Sequence, residues 1–436
     1  MLATAVAALG GLLFGFDTAV IAGTTHALTI YFNLTAATLG LTVSCALWGT
    51  VVGGFFASVP ADRFGARDSL RITGILYIVS ALGCAFAHNW YLFLLFRLVG
   101  GVAIGGCSVF APMYIAEISP TEIRGKLVGC FQLSIVVGIL VAYASNFVLG
   151  TLHLEVNEWR ADLGVAAIPS VLFFATLTLI PRSPRWLVQK GRLKEARHAL
   201  LAIGVEDAES QVRRIAASLQ LDEADASTSI LSDAGRRPLL IALALVFFNQ
   251  MSGINAVLYY LNDIFAQAGF ASVSAQKQAV VVGLANLLFT IVGMALIDKI
   301  GRKPLLLVGA VGMATALGCI AAIFFLGEHR SLLLPLLIIF IGFFAASQGA
   351  VVWVYLSEVF PSGLRSSGQS LASFCLWLLT ATVTAIFPLL ASRSGGLAFA
   401  IFCGCMVVQF FVVRAFFPET RGRALESKFF FAGKST

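Results

Sequence analysis

A membrane-crossing helix needs roughly 20 consecutive apolar residues, and this chain supplies that length twelve times. The apolar windows lie at residues 3–23, 37–59, 70–87, 90–113, 127–149, 163–180, 239–265, 278–297, 304–326, 332–357, 367–391 and 396–417. Hydrophobic residues make up 59% of the chain and charged residues 12%, about half the charged share of a soluble domain, which is about 25%. The expected fold is an all-α integral membrane protein of twelve transmembrane helices.

The formal charge of +7 raises the question of nucleic acid, and its distribution answers it. Assigning loops to alternate sides of the membrane puts 24 of the 29 Lys and Arg residues on one side, and only Arg160, Lys277, Arg330 and Arg393 on the other. Arg97 alone is left inside a span. Such an excess is a topology signal that places both termini and the 181–238 loop in the cytoplasm; no nucleic-acid partner is expected. The eight cysteines all fall in apolar windows without metal-ligand or redox spacing, so no metal, cofactor or disulfide is expected. The first window begins almost at Met1 and is read as its own insertion signal.

The second half repeats the first. IDKIGRK at 297–303 answers ADRFGAR at 61–67, and Asp298 lies 236 residues after Asp62. Glu358 and Arg365 follow Glu117 and Arg124 by 241, and Pro418 of PETR follows Pro181 of PRSPR by 237. Near-equal offsets imply a duplication: residues 1–180 as one pseudo-symmetric six-helix half, 239–417 as the other, 181–238 as a cytoplasmic linker of short amphipathic helices, and 418–436 as a cytoplasmic tail. In the linker, Trp186, Leu187, Leu193, Ala196, Leu200 and Leu201 have helical spacing. Duplicated carriers of this kind bind solute at mid-membrane, between halves that rock.

Two groups of polar residues stand where lipid tolerates none. NQMSGINAVLYY at 249–260 places the amides of Asn249, Gln250 and Asn255 inside an apolar window. Burying an amide unpaired costs roughly 2–7 kcal/mol, so a wet or hydrogen-bonding surface must face them; a polyhydroxylated solute would serve, and so would contacts between helices. Gln250 and Asn255 lie about 140° apart round a regular helix, and a bend at Gly253 would bring them together. Asp17, in the middle of the first window, costs roughly 2.5–3.5 kcal/mol to insert and calls for a partner in the bundle interior. Arg97 is the basic residue available within a span.

The chain resembles the sugar-porter family of the major facilitator superfamily over essentially all twelve windows. The resemblance rests on GFDTAVIAGT, ADRFGAR, EISPTEIRG, PRSPRWL, NQMSGINAVLYY, DKIGRK, SEVFPSGLR and PETRGR in combination. It implies sugar contacts at Gln132, Gln250, Asn255 and Trp353, with Asn249 standing where Gln is usual. Tyr259 and Asn286 are implied as peripheral or gate residues, and Trp377 as a pocket wall, with packing as the plainer alternative for Tyr259 and Trp377. The chain departs from the family at Leu376, where Asn or Gln is usual, and at Thr380, where Asn is common. Ala350 replaces a frequent Pro, Arg182 a usual Glu, and Ala66 a usual basic residue.

The resemblance also implies roles for the charges. In proton-coupled members an Asp at the Asp17 position pairs with an Arg at the Arg97 position; facilitators tend to carry Asn at the former. A buried carboxylate separated from its guanidinium favours the protonated form, so linking separation to conformational change couples proton and solute movement. A purely structural ion pair is the alternative. Asp62, Arg63, Glu117, Arg124, Asp298, Arg302, Glu358 and Arg365 are read as a cytoplasmic gate that biases a two-state equilibrium.

The expected function is therefore alternating-access transport of a monosaccharide, a hexose or a pentose, with proton symport. A facilitative uniporter is the alternative within transport. A non-transporting sensor is disfavoured by the short sequence after Pro418. An integral-membrane enzyme finds no support: the five histidines lie at span ends or in loops, and no nucleophile–base or paired mid-span carboxylate pattern appears. The expected partners are sugar, proton and lipid bilayer, the expected state a functional monomer, and the short loops suggest a bacterial cytoplasmic membrane.

Overall fold

The computed structural model describes residues 2–120, 123–152, 158–225, 233–360 and 364–421. No strand occurs among them, and they pack as two compact units, Met1–Asn33 with Thr42–Ala226 and Leu34–Leu41 with Ser227–Thr436. The helices of the first unit are α1 (Leu2–Phe32), α2 (Ala36–Phe55), α3 (Ser58–Phe64), α4 (Ala66–Ala85), α5 (Trp90–Ile118), α6 (Arg124–Thr151), α7 (Glu158–Val165), α8 (Ala167–Thr176), α9 (Pro184–Gln189), α10 (Leu193–Ala202) and α11 (Ala208–Asp225). The first six residues of α2 group with the second unit. That unit contains α12 (Asp233–Met251), α13 (Ile254–Tyr259), α14 (Leu261–Gln267), α15 (Ser272–Ile300), α16 (Arg302–Leu326), α17 (Leu333–Phe344), α18 (Ala350–Val359), α19 (Arg365–Arg393) and α20 (Leu397–Phe416).

Among the described residues, eleven helical stretches are long and apolar enough to cross a membrane. The missing one is the sixth window, which is not a single helix: α7 and α8 meet at Ala166. Pro169 explains the break, since it has no N–H to give the Val165 carbonyl and its ring crowds that carbonyl. The seventh window is likewise interrupted, at Ser252–Gly253 and again at Tyr260. The tenth carries a π-helical turn, Ala345–Gly349, between α17 and α18.

The core of the first unit is a seam where Leu13 of α1, Phe110 and Tyr114 of α5 and Phe173 of α8 pack together. In the second unit Leu306, Met313, Phe340 and Met406 are fully buried, on α16 and on α17 and α20, the helices packed against it. Helices α9 to α11 form a small separate core from Trp186, Leu187, Val188, Ala196 and Ala199 against Val212 and Ile215. The amphipathic reading of this linker holds for Ala196 and Leu200, whereas Leu193 and Leu201 are about half exposed. Ser183 caps α9 by accepting from the Trp186 N–H at 3.3 Å, and the Trp186 indole donates to the Asp62 carbonyl at 3.1 Å. The linker is thereby fastened to the turn that carries the first repeat motif.

Candidate functional site

Asp17 sits halfway along α1 and Arg97 about two turns into α5. Arg97 Nη1 donates to Asp17 Oδ1 at 2.8 Å, with the Arg97 side chain 1% exposed and Asp17 15%. Asp17 Oδ2 is buried without a hydrogen-bond partner. The pair borders a narrow cavity walled also by Tyr77, Leu163, Ala166 and Ser170, with room for about one water molecule. Two residues before Asp17, Gly15 lets α1 pack directly on α6, since a Cβ there would overlap the Ile135 carbonyl. Gln132 lies nearly one turn before Ile135 on α6 and is half-buried.

The amides of the second unit are brought together as the sequence suggested, and by the means it suggested. Gly253 takes φ +80 between α12 and α13, a left-handed conformation that L side chains avoid, and a Cβ there would overlap the Phe402 ring. Across this break Asn255 Nδ2 donates to Gln250 Oε1 at 2.8 Å, and Gln250 Nε2 donates to Asn249 Oδ1 at 2.7 Å. The three amides thus form one chain in which each satisfies part of its neighbour's capacity. Asn249 and Gln250 are buried, at 6% and 3% exposure, while Asn255 is half-buried. An amide carries two donors and an acceptor, so the chain leaves capacity of both kinds for hydroxyls.

The remaining contacts implied by the resemblance are placed less closely. Tyr259 is buried on α13 and Asn286 on α15, Trp377 is buried on α19, and Trp353 is 43% exposed on α18. Neither Asn286 nor Trp353 hydrogen-bonds to the amide chain. The Thr380 hydroxyl donates to the Leu376 carbonyl at 2.7 Å, so at this pair of departures from the family pattern Leu376 is apolar and Thr380 spends its proton on its own helix. A polar pair that sequence reasoning missed lies nearby in the chain. Gln348, in the π turn, donates to Gln409 of α20 at 2.7 Å, and both side chains are fully buried.

The charged motifs resolve into two clusters. In the second unit Arg302 opens α16 and bridges Glu358 at 2.8 Å and Asp298 at 3.1 Å. Thr420 donates to Glu358 Oε2 at 2.6 Å, and Glu419 accepts from the backbone N–H groups of Arg302 and Lys303, each at 3.0 Å. Burial pushes the Glu419 carboxyl up, but the N–H groups of Arg421, Arg302, Lys303 and Thr420 outweigh it and hold the group below its ordinary value. In the first unit Asp68 collects Arg67 at 2.7 Å, Arg71 at 3.2 Å and Arg182 at 2.9 Å. Sequence reasoning named none of Arg67, Asp68, Arg71, Arg182, Glu419 and Thr420 as gate residues, although Arg182 was marked as a departure and Glu419 stood in a quoted motif.

Of the gate residues it did name, Arg302, Asp298 and Glu358 join. Asp62 and Arg63 are exposed, with the Arg63 guanidinium 5.3 Å from the Phe64 ring centroid. Glu117 lies beside Ser183 and in the field of Arg185, with Oε2 buried and unbonded. Arg124 and Arg365 open α6 and α19; their side chains lie outside the described residues.

Comparison with known proteins fits this architecture. The family model described as "Sugar (and other) transporter" matches residues 3–428. The D-xylose-proton symporter of Escherichia coli K12 is 34% identical, over 97% of this chain and 94% of that protein. A D-xylose transporter of Levilactobacillus brevis is 36% identical, over 96% and 93%. Among solved structures, a partially occluded inward-open form of the xylose transporter XylE from E. coli matches with a TM-score of 0.86 at 33% identity, covering 97% of this chain and 99% of that one. A chain matched along nearly its whole length by this model and these relatives belongs to the sugar transporter family and has the major facilitator fold.

Proposed function

We propose that the protein is a proton-coupled symporter that moves a monosaccharide of pentose or hexose size across the cell membrane by alternating access. The observation that carries the proton is the buried Asp17–Arg97 pair. An ion pair in the interior of a membrane helix bundle is stable only while both partners remain together; separating them leaves a carboxylate that takes up a proton in preference to staying charged. The relatives named for D-xylose and proton support the same chemistry.

In this reading Gln132, Asn249, Gln250 and Asn255 supply hydrogen bonds to sugar hydroxyls. Trp353 and Trp377 supply aromatic faces suited to sugar C–H groups, and Tyr259 and Asn286 flank them. The chain of three amides moderates one part of the sequence argument: these groups meet each other's needs, so their burial alone does not demand a solute, and a sugar must exchange hydrogen bonds with them. Asp62, Arg63, Glu117, Arg124, Asp298, Arg302, Glu358 and Arg365 are assigned to the conformational equilibrium. Both termini are cytoplasmic and the monomer is the working unit.

The test is uptake into proteoliposomes holding the purified protein, with D-xylose, D-glucose and other monosaccharides, with and without an inward proton gradient. The expected result is accumulation above the external concentration with the gradient and equilibration without it. Equilibration in both cases would make the protein a facilitator.

A further inference from the structure

We propose that Asp162 is a second proton-binding carboxyl of the first unit, distinct from Asp17. It lies in the second turn of α7, just ahead of the helix break at Ala166, and its exposure is 0%. Neither Oδ1 nor Oδ2 has a hydrogen-bond partner among the described residues. Its neighbours Leu163 and Ala166 line the cavity beside Asp17 and Arg97, so Asp162 stands one residue, and one helical turn, from the wall of the coupling cavity.

Among the described residues, the surroundings offer an ionised carboxylate no donor and no cation. On its own helix Glu158, one turn back, is a second acid that opposes its charge. Arg160 is engaged elsewhere. Its guanidinium lies 4.3 Å from the Trp159 ring centroid and 5.2 Å from that of Tyr31, and it donates to the Ala85 carbonyl at 2.6 Å and the Tyr31 hydroxyl at 3.0 Å. The indole N–H of Trp159, three residues before Asp162, makes no hydrogen bond to it. Of the helices packed on α7, α1 brings Asp17, His26 and Tyr31, α4 brings Tyr77 and Cys84 with Arg67, Asp68 and Arg71 at its far end, and α6 brings Tyr143 with Arg124, Lys126 and Cys130. Helix α8 brings no titratable group. Arg97 on α5, the cation that lines the cavity, is bonded to Asp17. A fully buried carboxyl without donor or cation is stable in its neutral form, so Asp162 binds a proton in this fold and releases it only when α7 is exposed or repacked.

The inference does not depend on the coupling role of Asp17, and its test reads protonation directly. Infrared spectra of the full-length protein in detergent at neutral pH would be compared for the parent, Asp162→Asn and Asp162→Leu. The expected result is a protonated-carboxyl C=O band in the parent that both variants lack. A group that holds its proton more tightly folded than unfolded also makes stability fall as pH rises. That fall spans the range between the unfolded and folded values of the carboxyl, so the parent's Tm should decline from acidic to about neutral pH more steeply than that of either variant. Uphill sugar uptake should survive in both. A parent band that persists in both variants, equal slopes from acidic to neutral pH, or failure of both neutral side chains to support folding would overturn the proposal.

Discussion

The two units solve the same junction with opposite charges. Tyr114 donates to the Pro181 carbonyl at 2.8 Å, and Tyr355, 241 residues later, to the Pro418 carbonyl at 2.9 Å; the repeat is therefore structural at this point. The turn glycines Gly65 and Gly301 both take positive φ, +81 and +103. Around this shared frame the charges differ. The second unit places Arg302 on the helix and Glu419 on the facing loop, so the loop acid meets the free N–H groups at the start of α16. In the first unit the slot of Arg302 holds Ala66 and that of Glu419 holds Arg182, while the acid, Asp68, is in the first turn of α4 itself. Each helix N-terminus keeps a carboxylate, where the helix dipole favours one, but the two are supplied from opposite sides of the junction. Without an arginine in the Ala66 slot, Glu117 lacks the bridge that its counterpart Glu358 enjoys.

Five changes break or sharpen this contrast. The largest effect is expected from Arg302→Ala, which strips the cation from Glu358 and Asp298 at once; removing one partner of a buried pair costs about 3–5 kcal/mol, seen as a lower Tm in detergent. Glu358→Gln should follow, at about 2 kcal/mol for losing a charge-assisted bond to a buried arginine, whereas Glu117→Gln should change stability by less than about 1 kcal/mol. Equal costs at the two positions would remove the asymmetry.

Restoring the second unit's polarity in the first, through Ala66→Arg with Arg182→Glu, should give a favourable coupling of about 1 kcal/mol in a double-mutant cycle; additive singles would count against the correspondence. The smallest effect is in pH dependence. Glu419 is held below its ordinary value, so the unfolded chain binds the proton more readily. The stability it contributes is present above the usual Glu range and is lost as pH falls through its folded value. Glu419→Gln should flatten the acid limb of a Tm-against-pH curve.

Much of this was readable in the residues, and the exceptions have physical causes. Apolar length located the spans because lipid admits few alternatives. Asp17 and Arg97 announced each other because an isolated charge inside a span is costly. The Gly253 break was legible from a glycine between amides. The interruption of the sixth window was not drawn, although Pro169 marks it, because window hydropathy does not register a lost backbone bond. The Asp68 cluster draws arginines from α4 and from the 177–183 turn, more than a hundred residues apart in sequence, and only tertiary packing brings them to one carboxylate. That Asn249, Gln250 and Asn255 bond to one another also depends on the path of the chain after Gly253, which spacing along a regular helix does not specify.

The central claim is that proton movement is tied to sugar movement through one ion pair. It is tested most directly by Asp17→Asn in proteoliposomes, comparing sugar uptake driven by a proton gradient with sugar exchange at equal concentrations on both sides. Loss of gradient-driven accumulation with exchange retained is the expected result; accumulation equal to that of the parent protein would contradict it.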